Sequence, residues 1–216
     1  MFDKNIIDGG SGMTENNEIR QEMIVVLDFG DPFDQLIVRR IRELGVNSKL
    51  LHPRTASTDE IKKLNPKGII LSGGPRHVHS DNAISLNKEI FNLRIPILGI
   101  CYGMQLIAAQ FDGKVERREK RTYGQDTIQI KDGGPELFKG IPEKLDVWMS
   151  FGDSLKGIPA GFVIDAESEK VPVAAISNTA SKFYGIQFHP EAEQSEYGTE
   201  ILKNFVFGLC HCNEQS

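Results

Sequence analysis

Two spacings of apolar residues divide the chain. From Met23 to about Phe111, short apolar runs alternate with stretches whose apolar positions recur every three or four residues. Ile24 to Phe29, Ser48 to His52, Gly68 to Ser72 and Ile97 to Ile100 have the length and near-continuous apolarity of strands buried on both faces. Between them, Leu36, Ile37, Ile41 and Leu44 fall on one helical face, with Pro32 suited to the first turn and Gly45 to the end. Further helices are expected over Thr58–Leu64, capped by Thr58, over Ala83–Leu93 and over Tyr102–Phe111. Strands and helices that alternate in this way form a parallel sheet covered on both sides.

After Lys114 the period shortens. Alternating segments at Thr127–Lys131, Leu145–Ser150, Phe162–Ala166, Val173–Ser177 and Phe183–Phe188 read as further strands, some antiparallel, closed by a helix from about Tyr197 to Leu209. The expected architecture is an α/β three-layer sandwich with a mixed, largely parallel central sheet. Residues 1–22, polar and containing Gly9-Gly-Ser-Gly12, read as a flexible leader, 23–212 as one domain, and 213–216 as a tail.

Charge and composition remove several functional classes. The 25 Lys and Arg against 30 Asp and Glu give a net charge of −5, which argues against nucleic acid or an anionic membrane as the main partner. No apolar run reaches the roughly 18 residues of a membrane span, and the acidic start lacks the pattern of a signal peptide. Three cysteines, Cys101, Cys210 and Cys212, make no disulfide framework. A cytoplasmic location is expected.

Gly99-Ile-Cys-Tyr-Gly103 places a thiol where an apolar strand meets a helix, with glycine two residues to either side. This is the thiol counterpart of the nucleophile elbow, and the following helix N-terminus favours the thiolate. Phe188-His-Pro-Glu191 follows the last strand. In extended backbone His189 and Glu191 point to one side, so Glu191 can hold the ring in the tautomer that takes a proton from Cys101. Leu71-Ser-Gly-Gly-Pro75 ends a third strand, and its amides together with the N–H of Tyr102 suit a developing oxyanion. Each feature alone has a plainer reading: a thiol packed as a small hydrophobe, a strand-end histidine, an ordinary turn. The chemistry gains weight because strand ends in such a sheet share one edge.

Gly99-Ile-Cys-Tyr-Gly-Met-Gln105, Leu71-Ser-Gly-Gly-Pro75 and Gln187-Phe-His-Pro-Glu191 together resemble the class I glutamine amidotransferases, over about Met23 to Cys212. Leu27-Asp-Phe-Gly30, Arg39 to Gly45 and Asp146-Val-Trp-Met-Ser150 resemble the branch that forms the glutaminase domain of GMP synthetases. The resemblance implies a flavodoxin-like fold and hydrolysis of L-glutamine to glutamate and ammonia. Cys101 would be nucleophile, His189 acid and base, Glu191 its orienting group, and the amides of Gly74 and Tyr102 the oxyanion donors. Gln105, Ser150, the backbone of Phe151, and Asp153 map onto positions around bound glutamine.

It also implies an ATP-pyrophosphatase synthetase, as subunit or domain, that uses the ammonia to aminate xanthosine monophosphate. ATP and magnesium would belong to that partner, with no cofactor and no metal in this chain, which lacks both the Ser-Gly-Gly-x-Asp-Ser and the Walker phosphate loops. The chain departs from the branch at Asp31-Pro-Phe33, Phe151 and Ala192-Glu-Gln194. A non-catalytic relative and a γ-glutamyl hydrolase on the same fold are the alternatives. His77 and His79 read as part of a solvated loop. Lys114 to Arg121 reads as a solvated charged face or a docking surface, and Cys210-His-Cys212 lacks a second pair of metal ligands.

Overall fold

The computed structural model describes residues 22–80, 83–84, 86–131 and 134–214. The leader assigned to 1–22 therefore lies almost wholly outside the described residues, as does the end of the tail. Of their edges, Glu22 accepts hydrogen bonds from the backbone and side-chain nitrogens of Asn213 and pairs with Lys67.

Among the described residues nine strands form one sheet. The first five to be aligned are β1 (Met23–Leu27), β2 (Asn47–Leu51), β3 (Gly68–Leu71), β4 (Ile97–Ile100) and β9 (Phe183–Ile186). They are parallel in the order β2-β1-β3-β4-β9. The sheet continues antiparallel through β8 (Ala175–Asn178), β7 (Val163–Glu167), β5 (Lys114–Ile130) and β6 (Lys144–Gly157). The expected α/β layering and mixed sheet are thus present, with parallel and antiparallel pairings in equal number.

Period-two alternation in β1 explains the layers. Ile24 and Val26 pack under α1 (Asp34–Glu43) and α4 (Gly198–Lys203) through Ile37, Ile41, Ile201 and Leu202. Val25 and Leu27 face the other side, against Ile61 of α2 (Thr58–Leu64) and Met104 and Ile107 of α3 (Tyr102–Gln110). All these side chains are almost wholly removed from water, and this burial is the main force holding the layers together.

Four local expectations need correction. The N-cap of α2 is Ser57, whose hydroxyl accepts from Glu60 N. Thr58 is already helical, and its hydroxyl instead accepts from Asn87. Among the described residues of the expected Ala83–Leu93 helix, only Lys88–Asn92 forms, as a 3₁₀ turn, where the Asn87 side chain caps Glu89 N and starts the turn late. Pro32 precedes α1 rather than entering it, since Phe33 is the N-cap. The closing helix continues past α4 as a wider π turn over Asn204–Leu209, where Asn204 donates to the carbonyls of Leu137 and Lys139.

The β1–α1 turn carries a buried acid. Asp34 Oδ2 accepts from Asp31 N, and Asp31 Oδ1 accepts from Phe33 N. Burial first, then a hydrogen bond with Asp28, pushes Asp34 up to about 8, while the same bond lowers Asp28. The two carboxyls therefore share one proton in the folded protein. The unfolded chain releases the Asp34 proton near pH 4, and the folded chain keeps it to about 8. Stability from this group is thus fully present below about pH 4 and is lost as the pH rises to about 8. Asp34→Asn mimics the protonated acid and escapes that loss. Melting temperatures from about pH 5 to 9 are expected to show the variant gaining on the wild type up to about pH 8 and then running parallel. A gap that stays constant with pH would contradict the shared proton.

Candidate active site

Cys101 ends β4 and begins α3 with φ 53° and ψ −104°, a conformation that costs about 1–3 kcal/mol in a non-glycine residue. The flanking glycines make the turn possible. A Cβ on Gly99 would lie 2.4–2.5 Å from the backbone of Gly103 and Met104, and one on Gly103 would lie 2.1 Å from the Leu71 carbonyl oxygen. The elbow is therefore locked to β3, and it presents the thiol at the C-terminal edge of the parallel strands.

The neighbouring strand brings the candidate base. His189 follows β9, the direct partner of β4. Its Nδ1 is 2.7 Å from Glu191 Oε1, and both residues are about 1% exposed. With Nδ1 engaged, Nε2 is the ring nitrogen left for Cys101, and among the described residues no group is in hydrogen-bond geometry with it. Burial pushes the His189 pKa down, but the Glu191 charge and the contact with Cys101 outweigh it, and the net shift is well upward. The ring is thereby biased toward the imidazolium, a proton donor. Phe33 packs its ring 5.5 Å from that of His189, so the altered Asp31-Pro-Phe33 segment lies against that imidazole.

A cavity of 160 Å³ opens over Cys101. It is smaller than the roughly 300–1,000 Å³ of drug-sized sites and suits a ligand the size of an amino acid. Gly74, Gln105, Ser150, Phe151 and Asp153 all line it. Gly74 also lies against Tyr102, whose ring carbon a Cβ on Gly74 would approach to 3.3 Å. The Tyr102 amide is in the first turn of α3, where no intrahelical acceptor exists. Gln105, buried, donates to the Asp153 carbonyl, and the Ser150 carbonyl is 3.6 Å from the Cys101 sulfur.

Three neighbours of the site escaped the sequence reading. His77, read as solvated, has Nδ1 at 2.6 and 2.5 Å from the two oxygens of the Asp153 carboxylate. Gln187 Nε2 lies 3.6 Å from the Cys101 sulfur. Its place one residue past β9 and two before His189 is the signal that could have found it. The Lys114–Arg121 patch is part of β5. Arg117 pairs with Asp153 and Thr122 with Phe151, so residues 118–121 bulge out over the single Gly152. Arg117, Arg118 and Arg121 line the cavity, and Arg118 sits 5.7 Å over the Phe151 ring. Nothing in periodicity announces a bulge that returns a charged strand to the site.

The free edge of β6 is occupied as well. His189 N donates to the Trp148 carbonyl, Trp148 N to Ser195, and Glu196 N to the Asp146 carbonyl. The segment carrying His189 and Glu191 thus zips onto the last strand, which curls the antiparallel half back to the elbow. Among the described residues no helix is long and apolar enough to cross a membrane.

Comparison with known proteins gives the family. The family described as Glutamine amidotransferase class-I matches residues 25–209. A Bacillus cereus protein named GMP synthase [glutamine-hydrolyzing] is 52% identical over 195 residues, 90% of this chain and 38% of that protein. The Bacillus subtilis protein of the same name is 54% identical over 191 residues, 88% of this chain and 37% of its own length. This chain therefore spans well under half the length of these two Bacillus relatives. Among solved structures, a candidate GMP synthase subunit from Thermoplasma acidophilum superposes with a TM-score of 0.79 at 30% identity, covering 88% of this chain and 94% of that one. With the family match running through the elbow, the buried His–Glu pair and every strand between, this chain belongs to the class I glutamine amidotransferases.

Proposed function

We propose that the chain hydrolyses L-glutamine to glutamate and ammonia and hands the ammonia to an ATP-dependent, XMP-aminating synthetase, in the cytoplasm. One observation carries the reading: a cysteine in a strained elbow beside a buried histidine whose far nitrogen is held by a buried carboxylate. The Cys101 thiolate attacks the side-chain amide carbon, and the amide oxygen takes the negative charge. The amides of Gly74 and Tyr102 receive it. His189, biased toward imidazolium, gives its proton from Nε2 to the leaving nitrogen, so ammonia departs and a γ-glutamyl thioester remains. Water then adds to the thioester, His189 takes its proton, and glutamate leaves as the thiol is restored. Glu191 keeps the ring in register through both halves.

The two Bacillus relatives, named as glutamine-hydrolysing GMP synthases, support the acceptor side of this reading. ATP and magnesium are assigned to the synthetase. Glutamate release should be measured alone and with an XMP-aminating synthetase, ATP, magnesium and XMP. We expect release in the complete mixture, with one GMP formed per glutamate. No glutamate in either condition would refute the reading in favour of a non-catalytic relative, and faster turnover of γ-glutamyl peptides than of glutamine would favour the hydrolase.

A further inference from the structure

We propose that His77 is a specificity-determining gate that occupies the ammonium seat of this pocket and must leave it for an α-amino acid to bind. The inference rests on the glutamine reading and concerns how that site selects its ligand. Asp153 is only 6% exposed at its side chain and sits on β6, with its carbonyl anchored by Gln105. Both carboxylate oxygens are engaged by the one Nδ1 of His77. A donor centred between two oxygens covers the open face of the carboxylate, where an incoming cation would dock.

The two partners differ in freedom to move. Asp153 is fixed by strand and amide, whereas His77 is 36% exposed on the loop after β3, whose Gly74, Pro75 and Arg76 form a wall of the same cavity. Displacement therefore falls to His77. In the empty pocket the imidazole spares a buried carboxylate from standing unpaired. An arriving ammonium supplies three donors in place of one N–H and can take over. A γ-carboxamide that lacks the α-ammonium brings nothing that competes for the seat. Binding of the amino acid is weakened by the fraction of molecules in which the seat is closed.

The test uses the full chain with Cys101→Ala, which prevents turnover, with and without His77→Ala. Calorimetry would read the Kd of glutamine and of glutaramate, the same γ-amide without the amino group. Loss of His77 is expected to tighten glutamine about 3- to 10-fold and leave glutaramate unchanged. In chains that retain Cys101 the same change should appear as a lower KM at constant kcat. Adding Asp153→Asn should erase the gain. Glutamine binding that is unchanged or weakened, or equal tightening of both ligands, overturns the gate alone. Glutamine binding by neither protein overturns the glutamine reading and the gate with it.

Discussion

Replacing Cys101 with alanine is expected to lower glutamate release by about 10⁴- to 10⁶-fold while leaving the fold intact. The two parts have separate causes. Activity falls because no other group near the cavity can form the thioester: Ser150 faces the site through its carbonyl, and His189 would be left a proton carrier without a nucleophile. The fold survives because alanine keeps the Cβ, so the strained φ of 53° is neither relieved nor worsened. What disappears with the sulfur is its pair of weak hydrogen bonds to Ser150 and Gln187, both at 3.6 Å. The melting temperature should stay within a few degrees of wild type, and glutamate release within tenfold of wild type would place the nucleophile elsewhere.

Gly103→Ala tests the elbow from the other side. Helix propensity alone favours alanine inside α3 by about 1 kcal/mol. Packing opposes it, because the new Cβ would stand 2.1 Å from the Leu71 carbonyl oxygen and 2.8 Å from Leu71 C, and backbone in the sheet core has nowhere to go. Overpacking of this kind outweighs propensity, and the net effect is expected to be a loss of about 3 kcal/mol, with glutamate release falling as β3 and α3 part. Urea unfolding gives the sign. A gain in stability would mean that the helix can shift on the strand.

These two positions show what the chain made legible. The elbow is local: glycine, thiol and glycine at fixed spacing, followed by a helix, define their own geometry. His189 and Glu191 were legible as neighbours, but not through the extended backbone expected of them: Pro190 and Glu191 lie in a turn in which Ala192 N donates to the His189 carbonyl, and that turn brings the carboxylate to the ring. What could not be read depends on the curl of the sheet. The charged run of β5 has no apolar face of its own, yet pairing with β6 sends its arginines back over Cys101. His77 had no visible partner because Asp153 is 76 residues away and arrives on that same hairpin. Ser57 and Asn87 show a smaller failure of the same kind. Several hydroxyls and amides there could end a helix, and tertiary contacts between Thr58 and Asn87 decide among them.

The stitching of residues 189–196 to the rim of β6 has a kinetic meaning. His189 hangs by its own amide from Trp148, so the imidazole has no posture independent of that outermost strand. A shift along the ribbon of β5 and β6 that moves Trp148 would reach the imidazole as a change of angle, and the speed of the proposed deamidation would become a gauge of how the ribbon is gripped.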